Sequence, residues 1–214
     1  MEKHKNIRRI TGYILAVLYA VGFAGLQVPF LQPLFLKLVP VILIISLLAI
    51  LFFQVWTPNF ITFLITVYVA GFGIEVLGVN TGWIFGNYIY GENLGLQFLN
   101  VPLILGVNWI LMTYGAGVLS NRIPVHWLVK CLTGAIMMTG TDALMEPVAM
   151  KYDFWYWENQ LIPVQNFVAW FIISFIFMVL FFKLRFHKHN RIAAWLFILL
   201  FLFFLAFNLK YLFS

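Results

Sequence analysis

A 214-residue chain in which 64% of residues are hydrophobic, 19% aromatic and only 9% charged is not an ordinary soluble domain, where charged residues make up about a quarter. Composition predicts an all-α fold, a polytopic membrane helix bundle, with the length divided by the ~20 apolar residues that each crossing needs. The net charge of +6 does not point to nucleic acid: the cations gather at the chain start (Lys3, Lys5, Arg8, Arg9) and between two apolar runs (Lys183, Arg185, Lys188, Arg191), where anionic lipid headgroups are the expected partner.

In chain order, the first apolar run, 10–28, is too long for the h-region of a cleavable signal and lacks a small-residue cleavage site, so it reads as the first span. Further runs follow at 38–56, 59–79, 101–119, 126–147, 163–182 and 192–212, about seven spans in all. "PFLQP" (29–33), "TPN" (57–59), "NRIP" (121–124) and the basic "KLRFHKHNR" (183–191) separate them as turn or breaker signals. Pro58, Pro102 and Pro163 stand near the starts of their runs, where a missing N–H is harmless. The lone Cys131 excludes an internal disulfide, and no C-x-x-C metal or redox pattern occurs. With no internal repeat or low-complexity linker, one transmembrane domain over 1–214 is expected.

A cytoplasmic N-terminus puts ten of the 13 Lys and Arg residues inside and leaves Lys37, Lys151 and Lys210 outside. That bias predicts N-terminus in and C-terminus out, in the cytoplasmic (inner) membrane of a bacterium. Two longer connections then lie outside, 80–100 and 148–162; their Trp, Tyr and Gly content suits an interfacial or re-entrant segment. A plain aromatic belt is the alternative for "FWYW" at 154–157.

Placing the polar residues at their depths in this topology gathers them in one layer. Glu75 falls near the outer end of the third span, Asp142 and Glu146 in the last turns of the fifth, Asn108 and Asn166 near the outer ends of the fourth and sixth. Asn80, Tyr88, Tyr90 and Glu92 follow in the outer connection. Helical spacing sets Thr139, Asp142 and Glu146 on one polar stripe, and Tyr68, Gly71, Glu75 and Gly78 on another whose glycines admit close approach. Two carboxyls one turn apart in a poorly solvated place are not expected both to ionise, which supplies a general acid. Singly, each has a structural reading: a helix end meeting headgroups for the acids, and interhelical hydrogen bonding for the asparagines. His126, His187 and His189 read as surface residues, and the many Phe of the last run as lipid-facing bulk. The shared depth across four spans favours function.

At "GFGIEVLGVNTGWIFGNYIYGENLG" (71–95), "NWILMTYGAG" (108–117), "GTDALMEPVAMKYDFWYW" (140–157) and "IPVQNFVAWF" (162–171) the sequence resembles the membrane-integral carotenoid 1,2-hydratases of the CruF type, often labelled only as carotenoid biosynthesis proteins. The resemblance covers the third to sixth spans and their outer connections, whereas the first, second and seventh look generic. It implies addition of water across the terminal carbon 1–carbon 2 double bond of an acyclic carotenoid end group, such as that of lycopene, gamma-carotene or a bacterioruberin precursor, giving a tertiary alcohol. Carotenoid, water and the lipid bilayer are the implied partners, with carotenoid-pathway enzymes as further ones.

Such a hydration needs neither metal nor redox cofactor. Its hard step is protonating carbon 2 to leave a tertiary cation at carbon 1. The chemistry suggests Asp142 as proton donor, Glu146 and Glu75 tuning it or activating water, and Asn80, Asn108 and Asn166 positioning that water. Aromatic faces stabilise a cation without capturing it, and Trp83, Tyr88, Tyr90, Trp109, Tyr114 and Trp155 lie near enough by topology. A carotenoid end-group cyclase, which begins with the same protonation, is the nearest rival. A prenyltransferase is disfavoured because only Lys151 could meet a diphosphate outside. A retinal protein would want a lysine in mid-helix, and a seven-helix transporter a polar path through both leaflets.

Overall fold

The computed structural model describes residues 2–212; the side chains of residues 2–4, including Lys3 of the basic N-terminal group, lie outside the described residues. Seven α-helices form: α1 (Glu2–Gln27), α2 (Gln32–Phe52), α3 (Pro58–Thr81), α4 (Ile104–Ser120), α5 (Trp127–Lys151), α6 (Val164–Lys183) and α7 (Arg191–Leu212). Each answers to one apolar run, and all but α4 are long and apolar enough to cross a membrane.

Local chemistry sets the ends. The Thr57 side chain caps α3 by accepting from the Phe60 N–H at 3.2 Å, and Pro58 occupies its first turn. Gly82 closes the same helix in the left-handed region, φ 69°, with its N–H on the Gly78 carbonyl. Asn190 caps α7: its Oδ1 accepts from the N–H groups of Ile192 and Ala193 at 3.1 and 3.3 Å. α2 starts earlier than its run because Pro33 opens a helix readily, and α5 continues through Pro147 to Lys151.

The bundle is organised around α4, which packs against α2, α3, α5, α6 and α7. Fourteen of its 17 residues are buried. It is about 25 Å long at 1.5 Å per residue, and it need not match the bilayer because other helices, not lipid, surround it. Contacts between chain-distant residues define the two ends. At the basic end the Gln54 side chain donates to the His187 carbonyl at 2.8 Å and Asn190 to the Ile50 carbonyl at 3.0 Å. At the aromatic end Tyr152 donates to the Leu26 carbonyl at 3.2 Å.

The two aromatic connections, expected as interfacial or re-entrant segments, carry short strands. They form a small cap of strands: β1 (Tyr88–Tyr90) pairs antiparallel with β4 (Trp155–Trp157) in the register Tyr88 to Trp157, Ile89 to Tyr156 and Tyr90 to Trp155. A second, tight hairpin joins β2 (Gln97–Phe98) to β3 (Val101–Pro102) through Leu99 and Asn100, both at positive φ. Asn87 and Glu158 stitch the connections together at 2.7 Å, and Gly91 donates its N–H to the Phe154 carbonyl at 3.0 Å.

At Gly91 the two connections approach closely, since a Cβ there would run into the Asp153 carbonyl. Gly91→Ala must therefore displace backbone, at a cost of about 1–3 kcal/mol. Gly140 of α5 has open space around it, so Gly140→Ala is expected to gain about 0.5–1 kcal/mol of helix propensity. Thermal unfolding in detergent, followed by tryptophan fluorescence, should show the first variant melting below the parent and the second level with it or above.

Candidate active site

Helix α5 presents Asp142 and Glu146 one turn apart, and α3 presents Glu75 to the same place beneath the cap. They retain only 1%, 1% and 3% of their surface. The alternation of a β-strand supplies their partners. In β1, Tyr88 and Tyr90 point inward while Ile89 between them is exposed; in β4, Trp155 and Trp157 point inward while Tyr156 is exposed.

The hydroxyls of Tyr88 and Tyr90 donate to Glu75 Oε2 at 2.7 and 2.8 Å, and the Trp109 indole of α4 donates to Glu75 Oε1 at 3.0 Å. The indoles of Trp155 and Trp157 donate to Glu146 Oε2 at 2.9 and 2.6 Å. From α6, the Asn166 amide reaches both α5 acids, at 3.1 Å to Asp142 Oδ2 and 3.0 Å to Glu146 Oε1. Glu75 and Glu146 thus each accept three hydrogen bonds. Asp142 accepts one, and its Oδ1 is buried with no hydrogen-bond partner.

Close packing fixes these donors. A Cβ on Gly71 would lie 2.6 Å from the Trp109 ring, and one on Gly78 would lie 2.7 Å from the Phe85 ring, so the glycine stripe of α3 admits aromatic side chains. Trp109 stacks on Trp170 with centroids 4.2 Å apart. Burial, and then the neighbouring Glu75 carboxyl, hold the Tyr88 and Tyr90 phenols well above their usual range. Both therefore stay O–H donors.

Between the acids lies a cavity of about 20 Å³ lined also by Leu105, Asn108, Met145 and Trp170, room for about one water molecule. No Lys, Arg or His lines it among the described residues, so negative charge there is balanced only by hydrogen bonds or by protons on the carboxyls themselves. Nor do three or more His, Cys, Asp or Glu side chains group to hold a metal ion among the described residues.

Leu105, Asn108, Met145 and Trp155 also wall a much larger space, an apolar groove of about 400 Å³ bounded by α1, α2, α4, α5 and α7. Its outer wall includes Val21 of α1 and Val41 of α2, about half exposed on the bundle's side. The groove thus leads from the lipid-facing flank toward the three acids.

Of the residues singled out from sequence, Glu75, Tyr88, Tyr90, Asn108, Trp109, Asp142, Glu146, Trp155 and Asn166 meet here. Four stand elsewhere. Asn80 faces outward and braces the β2–β3 turn, donating to the Leu99 carbonyl at 3.2 Å and accepting from Asn100 at 3.1 Å. Trp83 is 85% exposed. Tyr114 sits toward the basic end, its hydroxyl on Gln54 and its ring among Phe60, Phe63 and Phe181. Thr139 shares the α5 stripe but does not line the cavity. Sequence reasoning missed Trp157, Trp170 and the groove. The repeated spacing in "YIY" and "WYW" was a signal for the first: aromatic residues two apart share a strand face.

The family described as carotenoid biosynthesis protein matches residues 28–213. Over 127 residues the chain is 29% identical to bisanhydrobacterioruberin hydratase of Haloarcula japonica, an aligned stretch that makes up 55% of this chain and 43% of that protein. The chain thus spans under half the length of this curated relative. No solved structure matches it. The family match runs through every helix from α2 to α7 and contains the whole acid cluster: this integral membrane protein belongs to the carotenoid biosynthesis protein family.

Proposed function

We propose that the protein hydrates the terminal carbon 1–carbon 2 double bond of an acyclic carotenoid end group. The observation that carries this reading is the position of three buried acids beside the inner end of an apolar groove that begins at the lipid-facing flank. A forty-carbon polyene is about as long as the ~30 Å hydrocarbon core. It would enter between α1 and α2 and bring one end to Asn108, Met145 and Trp155. The activity of the Haloarcula relative supports the choice of reaction.

In the reaction, Asp142 gives its proton to carbon 2 from the oxygen that has no other partner. The π electrons form the new C–H bond and leave a cation at carbon 1. Trp155, Tyr88 and the Trp109–Trp170 stack offer aromatic faces at up to ~2 kcal/mol each when desolvated. A water admitted to the acid cavity, which has room for about one, attacks carbon 1, and Glu146 or Glu75 takes its proton. Asn166, bonded to both α5 acids, holds them in register while the proton returns to Asp142. Water has then been added with no net change in the protein. The excess of basic residues supports a basic end on the cytoplasmic side of a bacterial inner membrane, with residues 1–214 acting as one domain, and pathway enzymes that make or consume the pigment as neighbours.

Expression in a lycopene- or gamma-carotene-producing bacterium should yield a pigment heavier by one water. Membranes containing the protein, given preformed unlabelled lycopene in deuterated water, should yield product with one non-exchangeable label at carbon 2. An isomer of unchanged mass would instead reveal a cyclase. Asp142→Asn is expected to lower turnover by about 10²–10⁴-fold, the usual worth of a general acid, at normal protein level. Glu75→Gln and Glu146→Gln should each reduce it, and full product from all three variants would exclude acid catalysis at this site. Gly22 of α1 lines the groove with little against it, so Gly22→Trp should obstruct entry, cutting pigment conversion while leaving the melting temperature near that of the parent.

A further inference from the structure

A second cavity lies at the opposite, basic end, and the hydration chemistry makes no use of it. It is a cleft of about 760 Å³ walled by Arg8 of α1, Arg122 of the α4–α5 connection, His187, His189 and Asn190 of the α6–α7 connection, and Arg191, Trp195 and Ile198 of α7. Three arginines line it and, among the described residues, no carboxyl does. Of the seven acids in the chain, six lie in the acid cluster or the aromatic connections, and the side chain of the seventh, Glu2, lies outside the described residues.

Other cations of this end already have neighbours: Lys188 donates to the Leu184 carbonyl at 2.6 Å and lies 4.5 Å from the Phe186 ring, and Lys183 lies 4.4 Å from the Trp127 ring. Arg8 differs. It leans on the Phe53 ring at 5.6 Å, and its Nε is buried with no hydrogen-bond acceptor, a donor of the kind that native proteins rarely leave unmet.

The cleft is built rather than incidental. Gln54 fixes the His187 carbonyl, and Asn190 both caps α7 and bonds the Ile50 carbonyl, so the positive end of α7 and Arg191 are held at its wall. One side is cationic; the other, Trp195 at 56% and Ile198 at 36% exposure, is apolar and faces outward along α7. We propose that this cleft binds a phosphate-bearing anion, gripped by Arg8, Arg122 and Arg191, with an apolar portion running against Trp195 and Ile198: the headgroup and first acyl carbons of an anionic phospholipid. Planar guanidinium groups suit phosphate oxygens in pairs, and basic pockets between membrane helices are where such headgroups lodge.

The test titrates phosphatidylglycerol onto the detergent-solubilised full chain by native mass spectrometry, with phosphatidylcholine and inorganic diphosphate as parallel arms. Phosphatidylglycerol should bind more tightly than phosphatidylcholine. The double variant Arg122→Gln, Arg191→Gln should weaken it by about fivefold per residue removed. Should that variant not fold, Arg122→Lys keeps the charge, loses the fork, and is still expected to bind phosphatidylglycerol more weakly. Diphosphate binding with equal sensitivity to these substitutions would keep the phosphate site and assign it a soluble ligand. Equal binding of both lipids with no diphosphate binding, or a phosphatidylglycerol preference untouched by the substitutions, would overturn the proposal. Carotenoid conversion by the same variants gives an independent measure of folding, because none of these residues touches the acid cluster.

Discussion

Three carboxyl groups inside a lipid-facing bundle, with no cation lining their cavity among the described residues, must be satisfied by neutral donors, and that requirement shapes one whole end of the molecule. A buried polar group without a partner costs a few kcal/mol, and a charge costs far more. Here six side-chain donors converge: two phenols, three indoles and one amide that serves two acids. All but Trp109 and Asn166 come from the strand cap. A strand turns every second residue inward, so two strands of three residues each deliver four aromatic heads to one surface, which a helix of the same length could not do.

Aromatic donors bring a second property. An indole or phenol satisfies a carboxyl oxygen through its polar edge while its ring remains an apolar wall. The site can thus be polar enough to hold acids and oily enough to admit a hydrocarbon end. Lys or Arg in the same positions would bind the acids more strongly and oppose a carbocation. The unequal distribution of donors matters as well: both oxygens of Glu75 and of Glu146 are bonded, whereas one oxygen of Asp142 is left over. The asymmetry distinguishes the three carboxyls by their surroundings alone.

Much of this was legible in the chain. The apolar runs located all seven helices, because hydrophobic length is a strong signal, although α1 begins eight residues and α2 six residues before its run; the depth argument brought Glu75, Asp142, Glu146 and Asn166 together. The failures have physical causes. Depth along a helix says nothing of azimuth, so Asn80 and Trp83 share a layer with the site yet face outward. Tyr114 was drawn in by residue type, although its place on α4 lies well toward the other end, where Gln54 holds its hydroxyl. The strand cap escaped because a three-residue strand has too little periodicity to stand out in an aromatic stretch. The groove escaped because three of its five helices, α1, α2 and α7, contribute mostly plain aliphatics and phenylalanines to it; only packing turns them into a channel wall.

The order in which the donors follow their acids has a consequence for biosynthesis. Glu75 precedes its three partners by 13, 15 and 34 residues, and Glu146 precedes its three by 9, 11 and 20. A chain threaded into the bilayer from its N-terminus therefore exposes each glutamate to hydrocarbon only until the next short stretch emerges. Tyr88 and Trp109 can close over Glu75 before α5 is complete, and the Trp155–Trp157 segment covers Glu146 as the nascent chain turns back toward α6. Pairing of β1 with β4 joins the two units, because it sets Tyr88 and Tyr90, which serve Glu75, against Trp157 and Trp155, which serve Glu146.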